Sequence, residues 1–533
     1  MSSDRHDRRV LFWILAGGAC LMLLGIDWGL PHFESWNGDD ISPDKPLRVA
    51  SDWWSGHHKY PYLHWWLNAL LYAPYVLGLG VLGEVDLGCL PKLTPGCFEH
   101  VTAHMTVLMI LTRLLSVAMG LGTVWAAWRL AHQLLDDGRA AAWAAAVVAG
   151  SYPIVFFAHT GNLDLPHTFW FAASLVAAAS VWQRGDLRDY GMFGLLAGCA
   201  LATKDSILGA YLGLGLALLF RHVQRTRADG IGAVAALRDR RLWLLAVAVV
   251  AVYGLTEDVL LNFDGFLRHW GSWLEGGESL EAMRSRHIGV GRLAAGFAAS
   301  LRAAVGLPVL GLALAGVVAV AARPAWRPGL WLLAPAASYL AVSIQGAGFT
   351  ATRLELPLVP ILAVFAAAAM GAWAKVQSTG LRRIGWTVAL LAVAFSWGQA
   401  LNGDLRLLGD SRYAAEAWLR ENVPPGTEVA AFGGSDILPR ANRAGVVITP
   451  ISRDELQAEA LAADGPAWLL FSSLHRPKRV RPLLSALRAG EHGYTLAWEG
   501  QHRTWLDPWF SPVRKAGAVN PRLTLLRRRA DAP

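Results

Sequence analysis

The chain has 533 residues, 54% hydrophobic and 17% charged, with a mean hydropathy of +0.35. Soluble globular proteins carry about 25% charged residues, so this balance excludes an ordinary soluble fold; together with 25 tryptophans, a residue that favours membrane interfaces, it points to a polytopic membrane protein. The net charge of +8 comes without a basic stripe interleaved with aromatics, which argues against a nucleic-acid partner and for Lys/Arg-rich inner loops.

Met1 to Arg9 is short, polar and basic, and the apolar run Val10 to Ile26 follows it. No Ala-x-Ala cleavage site ends that run, so it reads as an uncleaved first span that starts inside. Further stretches of spanning length, about 17 to 25 residues, lie at 105–131, 139–158, 165–183, 190–204, 205–221, 242–260, 296–321, 328–346, 354–374 and 384–402. This makes about eleven spans in an α-helical bundle. Loop charge sets the orientation. Arg184 and Arg188, the run from Arg221 to Arg241, Arg323 with Arg327, and Lys375 with Arg382 and Arg383 all fall on the inner side. The odd count leaves the C-terminus outside, with residues 1–402 as the membrane domain and 403–533 as an outer domain.

Between the first two spans lies an outer loop, 28–104. Its aromatic stretch from Tyr60 to Tyr72 suits a helix lying in the interface, a span being the alternative. Cys89 and Cys97 share this loop; in an oxidising compartment they can pair as a disulfide, the alternative being two unrelated thiols. Cys20 and Cys199 sit in apolar runs as packing residues. A second outer loop, 261–295, carries Arg284, Arg286 and His287. After residue 402 the pattern becomes that of a small soluble α/β unit, with a helix over 413–422 and strands over 428–432 and 467–471.

Four polar clusters fall on the outer side in this topology. They are Asp39-Asp40, His57-His58-Lys59-Tyr60-Pro61, Asn162-Leu163-Asp164 and Thr203-Lys204-Asp205. Carboxylates and cations gathered at one membrane face suit an anionic lipid substrate: a carboxylate accepts a proton and cations neutralise a departing phosphate. Each cluster also has a plain structural reading. The acids can be solvated loop residues, Asp164 can cap the helix that follows it, Lys204 can extend from a helix end to water, and the histidines can be surface residues. Divalent-metal binding by Asp39, Asp40 and the histidines is a further alternative, although no zinc-type spacing is present.

Five stretches carry a family resemblance: Trp36 to Asp40; His58-Lys59-Tyr60-Pro61-Tyr62-Leu63-His64; Thr112-Arg113-Leu114-Leu115-Ser116; Ala158 to Pro166; and Gly194 to Gly198 with Ala202-Thr203-Lys204. A sixth, Thr352-Arg353-Leu354-Glu355-Leu356-Pro357-Leu358-Val359-Pro360, resembles an Arg-Tyr-x-x-Pro-x-x-Pro pattern. In this order and spacing, over roughly residues 10–400, they resemble the GT-C class membrane glycosyltransferases of family 39, the group of the protein O-mannosyltransferases and the lipid A aminoarabinose transferases. The resemblance implies a GT-C helical bundle in a bacterial cytoplasmic membrane. It implies transfer of a sugar from a polyprenyl-phosphate carrier, with inversion, to an acceptor hydroxyl or amine of a glycan, lipid or protein on the outer face, without a cofactor or catalytic metal. Asp40, supported by Asp39, would be the general base and Asp164 an orienting acid. Lys59, Lys204 and Arg353 would contact phosphate, with His58, Tyr60, Arg286 and His287 as further substrate contacts. Two departures stand out: Lys59-Tyr60-Pro61 replaces the family's Lys-Pro-Pro, and His58 stands where the aminoarabinose transferases have an acid. From another class, a lipid-linked saccharide transporter would instead bury its charges mid-span in paired broken helices.

Overall fold

The computed structural model describes residues 2–533 except 32–35, 37–39, 57–59, 275–289, 345–349, 453–455, 458–460, 462–464, 475–479, 511–518 and 530–533. The chain divides into two compact units: one of residues 1–26 and 40–401, the other of residues 27–39 and 402–533.

The first unit is helical. Its principal helices are α1 (Ser2–Leu23), α2 (Leu63–Leu82), α3 (Val101–Leu135), α4 (Gly138–Ala149), α5 (Tyr152–Ala158), α6 (Asp164–Gln183), α7 (Leu187–Leu201), α8 (Leu208–Ala228), α9 (Arg240–Thr256), α10 (Phe263–Leu274), α11 (Val290–Ala322), α12 (Leu358–Ala374) and α13 (Thr379–Leu408). By length and composition, six helical stretches among the described residues can cross a membrane: Leu63–Leu82, Val101–Leu135, Asp164–Gln183, Asp205–Ala228, Gly291–Ala322 and Thr379–Asn422. The pair α4 and α5, bent by 56° at the Gly150-Ser151 break, makes a seventh if taken as one span. The other apolar runs form shorter pieces. Of the apolar run 328–346, the described residues up to 344 break into 3-10, α and π turns around Pro328 and Pro335, because proline withholds a backbone donor. The segments over 190–204, 242–260 and 354–374 form helices of 15, 17 and 17 residues.

Helix α3 has 35 residues, about 52 Å of rise, against a hydrocarbon core of about 30 Å. The helix is therefore longer than the core is thick, and some of its turns project beyond it. Helix α2 runs antiparallel along the first turns of α3: the Tyr72 hydroxyl bonds to the Thr112 hydroxyl, and Tyr75 Oη lies 2.8 Å from His104 Nδ1. Glu84, just past the end of α2, reaches His104 Nε2 at 2.9 Å. The loop that follows is closed by a disulfide between Cys89 and Cys97. Small residues set another close approach. A Cβ on Gly194 of α7 would stand 2.6 Å from the Leu245 carbonyl of α9, and one on Gly198 would stand 2.9 Å from Val252. This Gly-x-x-x-Gly face lets the two helices touch, and it fixes the end of α9, where Glu257 lies.

The second unit is built on a five-stranded sheet in the order β2 (Val447–Pro450), β1 (Glu428–Phe432), β3 (Trp468–Ser472), β5 (Leu523–Arg528), β4 (Tyr494–Gly500). β1 pairs in parallel with β2 and β3, and β5 pairs antiparallel with β3 and β4. Successive side chains alternate between two cores. Val429, Ala431 and Leu470 pack with Ala415 and Leu419 of α14 (Ser411–Asn422). Ala430, Phe432, Leu469 and Phe471 pack on the other face with Leu484 and Leu487 of α15 (Val480–Arg488). Covered on both sides, β3 is apolar along nearly its whole length.

A carboxylate ties the last turns of α13 to a loop of this unit. Asp507 Oδ1 accepts from Arg406 Nη2 at 2.7 Å and from Asn402 Nδ2 at 3.2 Å. Partial burial alone would raise the Asp507 pKa, but the Arg406 and Asn402 hydrogen bonds outweigh it and hold the carboxyl below its ordinary value. A depressed folded-state pKa contributes stability above the unfolded value, about 3.9, that is lost as pH falls through the folded value. Asp507→Asn is therefore expected to lower the thermal midpoint at pH 7. Its deficit against wild type should shrink as the pH is taken below about 4, as followed by melting in detergent.

Candidate functional site

At one end of the first unit's bundle, three chain turns meet, and each brings a polar cluster. The Asn162-Leu163-Asp164 turn forms because Asn162 Oδ1 accepts the Asp164 backbone N–H at 2.6 Å, a side-chain turn that starts α6. Asp164 thus sits in the first helical turn, where a negative charge is favoured by the helix dipole, and Pro166 is tolerated there because its missing N–H has no partner in the ladder. The Thr203-Lys204-Asp205 turn follows α7, with the Thr203 hydroxyl back-bonded to the Cys199 carbonyl at 2.8 Å. The third strand of chain enters from Asp40: the Ile41 N–H donates to the Gly161 carbonyl at 3.3 Å. A small apolar cluster of Ile41, Val49, Tyr62, Trp65 and Leu163 lies beside that bond and excludes water from it.

The charges are paired. Lys204 Nζ forms an ion pair and hydrogen bond with Asp164 Oδ1; the side chains are 16% and 4% exposed. His167 and Arg353 also act electrostatically on Asp164, and Arg353 lies in the short turn Thr352–Glu355. Asp40 Oδ2 stands 3.6 Å from Arg113 Nη2, with the side chains 2% and 0% exposed, and Arg113 Nη1 donates to the Ile26 carbonyl at 2.7 Å. Arg113 therefore closes both ends of the excursion formed by residues 27–39. A third carboxylate, Asp205, accepts from Tyr253 Oη at 2.9 Å and lies 3.0 Å from His269 Nε2. Glu257 Oε1 accepts the Tyr62 N–H at 3.0 Å, and Leu63 donates to the Ala202 carbonyl at 3.1 Å. These two bonds hold the start of α2 against the Lys204 turn.

Of the residues singled out from the sequence, Asp40, Asp164, Lys204 and Arg353 belong to this end of the bundle, and Tyr60 lies close by in sequence and is exposed. Asp39, His58, Lys59, Arg286 and His287 lie outside the described residues. Asp205 stood in one of the four polar clusters and Arg113 in a stretch that carries the resemblance, but sequence reasoning gave neither of them, nor His167, His269 or Glu257, an individual role. Arg113 had a usable signal, since a lone arginine within a long apolar run needs a partner. His269 and Glu257 gave none, because their partners Asp205 and Tyr62 are 64 and 195 positions away. Among the described residues, no group of three or more His, Cys, Asp or Glu side chains is placed to hold a metal ion.

This arrangement offers buried carboxylate acceptors beside two cations at a bundle end. It can hold an anionic group next to a hydroxyl or amine and take up the proton that the latter releases.

The chain is similar to known proteins in part of its sequence and in its fold. The family model of dolichyl-phosphate-mannose-protein mannosyltransferases matches residues 101–253. The chain is similar in fold to the Archaeoglobus fulgidus oligosaccharyltransferase tethered to an acceptor peptide with an NVT sequon, at 13% identity and a TM-score of 0.50, over 97% of this chain and 74% of that one. ArnT from Cupriavidus metallidurans aligns in its apo state at 14% identity and a TM-score of 0.45, over 96% of this chain and 97% of that one. ArnT bound to undecaprenyl phosphate aligns at 13% identity and a TM-score of 0.44, with the same coverage. No curated protein matches the sequence. Residues 101–253 thus resemble the mannosyltransferase family, and the likeness to the oligosaccharyltransferase is one of fold.

Removing one partner of a buried ion pair strands the other charge, at a cost of about 3–5 kcal/mol. Asp164→Asn and Lys204→Met should each lower thermal stability in detergent. The double variant should lose less than the two singles together, with a coupling of about 0.5–3 kcal/mol. Additive losses would mean that the pair does not form in solution.

Proposed function

We propose that this chain is an integral membrane glycosyltransferase that moves a sugar from a polyprenyl-phosphate-linked donor to an acceptor hydroxyl or amine on the outer face of a bacterial cytoplasmic membrane. The observation that carries the reading is the meeting of the Asp40–Arg113 and Asp164–Lys204 pairs at one end of the bundle, with Arg353 beside Asp164. In this topology the N-terminus is inside, about eleven apolar segments cross or enter the membrane, and the loop 28–104 and residues 403–533 lie outside.

The reaction inverts the anomeric carbon. A carboxylate of the Asp39-Asp40 pair, Asp40 first, takes the proton of the acceptor. The acceptor oxygen or nitrogen attacks the anomeric carbon from the face opposite the phosphate. The bond from that carbon to the phosphate oxygen breaks with its electron pair on oxygen, and polyprenyl phosphate leaves. Lys204, Arg353 and Lys59 neutralise the charge that builds on the phosphate. Asp164 holds Lys204 at that position, and its own charge is offset by doing so. Arg286, His287, His58 and Tyr60 are assigned to the donor or acceptor. The transporter reading gains nothing from the bent span, since its break carries Gly150, Ser151 and Pro153 and no charged residue.

Purified protein is expected to release polyprenyl phosphate from at least one member of a panel of polyprenyl-phosphate sugars when acceptor is present. Asp40→Asn should reduce that turnover by about 10²–10⁴-fold without loss of folded protein. Full turnover in both Asp39→Asn and Asp40→Asn would remove the proposed base, and carrier binding without turnover on any acceptor would favour a transporter.

A further inference from the structure

The carboxyl end of β3 opens into a cavity of about 460 Å³ within the second unit. It is lined by Ser473 and Leu474, just past β3, and by Arg481, Leu484, Ser485 and Arg488, spaced along one face of α15. These residues stand on either side of 475–479, which lie outside the described residues. Open α/β sheets take ligands in the crevice beyond the carboxyl ends of their parallel strands. β3 pairs in parallel with β1 and antiparallel with β5, so strand direction also changes here.

Backbone bonds fix one edge of the cavity. The Ser473 N–H donates to the Arg522 carbonyl at 2.8 Å, and Ser473 Oγ accepts the Arg522 N–H at 2.8 Å. These bonds carry the β3–β5 pairing one residue past Ser472 and Leu523. Arg488 Nη2 forms an ion pair with Glu499 Oε1, and Arg522 Nε lies 3.8 Å from the same oxygen. One carboxylate thus serves two guanidiniums. Arg481 is exposed and has no acidic partner among the described residues. Arg481, Arg488 and Arg522 against Glu499 leave a surplus of two positive charges. Burial and the like charge of Arg522 both lower the Arg488 pKa, although a guanidinium stays protonated. An anion in the cavity would offset both. Hydroxyls stand beside the cations. Ser473 Oγ accepts from Arg522, which leaves its own O–H to donate. Thr524 lies cross-strand from Glu499, on the sheet face that α15 covers, and its hydroxyl is buried without a partner among the described residues.

We propose that this cavity binds a phosphate monoester, held by Arg481, Arg488 and Ser473 with Arg522 beside them. Such a group carries about −1.5 to −2 at pH 7, which matches the surplus charge, and guanidinium forks fit its oxygens. The cavity falls in the size range of small-molecule sites, about 300–1,000 Å³. Room therefore remains for the saccharide or glycerol that bears the phosphate. The site belongs to the second unit alone and stands whether or not the transferase reading holds.

The test is calorimetric titration of the full-length chain in detergent. Glucose 1-phosphate and dihexanoyl phosphatidic acid supply sugar-borne and lipid-borne monoesters; glucose and dihexanoyl phosphatidylcholine are the blanks. Wild type should bind at least one monoester and neither blank. Binding of the sugar ester alone assigns a phosphorylated saccharide, binding of the lipid alone a lipid head group, and binding of both a site that reads the phosphate. Arg481→Gln and Arg488→Gln should each weaken binding by about tenfold or more. Glu499→Gln removes the competing carboxylate and should tighten it. Arg420→Gln removes an exposed charge from α14, on the opposite face of the sheet, and should change nothing. No binding of either monoester at millimolar concentration would overturn the proposal, as would binding that Arg481→Gln leaves intact. Equal weakening by Arg420→Gln would also overturn it, because binding would then follow net charge alone. If Arg488→Gln fails to fold, Arg481→Gln and Glu499→Gln decide.

Discussion

A charge taken out of water at a membrane boundary must be met by an opposite charge or by hydrogen bonds, since burying it alone costs several kcal/mol. The first unit meets that constraint twice at one end of its bundle, with Asp40 against Arg113 and Asp164 against Lys204. Much of the local architecture serves these pairs. The Asn162 turn aims Asp164, the Thr203 back-bond ends α7 where Lys204 is needed, and the length of α3 places Arg113 at the level of the Gly161 turn. The Ile41–Gly161 backbone bond then joins the two halves of the site. A substrate that competes for either cation would loosen the carboxylate opposite it, so the same pairs that make the site stable also make it responsive to an anionic group.

The second feature of the design is covalent. The chain leaves the membrane unit after Ile26, passes through the sheet unit and re-enters at Asp40, and Arg113 bonds to both ends of that excursion.

Much of this could be read from the sequence, and the residues explain which parts. Asp164 and Lys204 stand out because they interrupt apolar runs near helix ends, where polar residues are few enough to be noticed, and Asp40 because it belongs to an acidic pair in the loop after the first apolar run. The strand at Glu428–Phe432 shows as a short run bounded by Pro424-Pro425-Gly426 and Gly433-Gly434. The run over 139–158 looked continuous because its break uses only Gly150 and Ser151, small residues that do not lower hydropathy. The aromatic stretch that began at Tyr60 extends to a 20-residue helix because the residues after Tyr72 remain apolar. The Trp28–Asp410 bond joins positions 382 apart, and no local pattern encodes a partner at that distance.

The central claim is that the paired turns at this end of the bundle hold the phosphate of a lipid-linked sugar. A structure of the protein with a bound polyprenyl phosphate tests it most directly. The account predicts phosphate oxygens within hydrogen-bond distance of Lys204 or Arg353, with the prenyl chain running along the apolar helix surface. A phosphate bound instead at the opposite end, near Gln183 and Arg221, would contradict it.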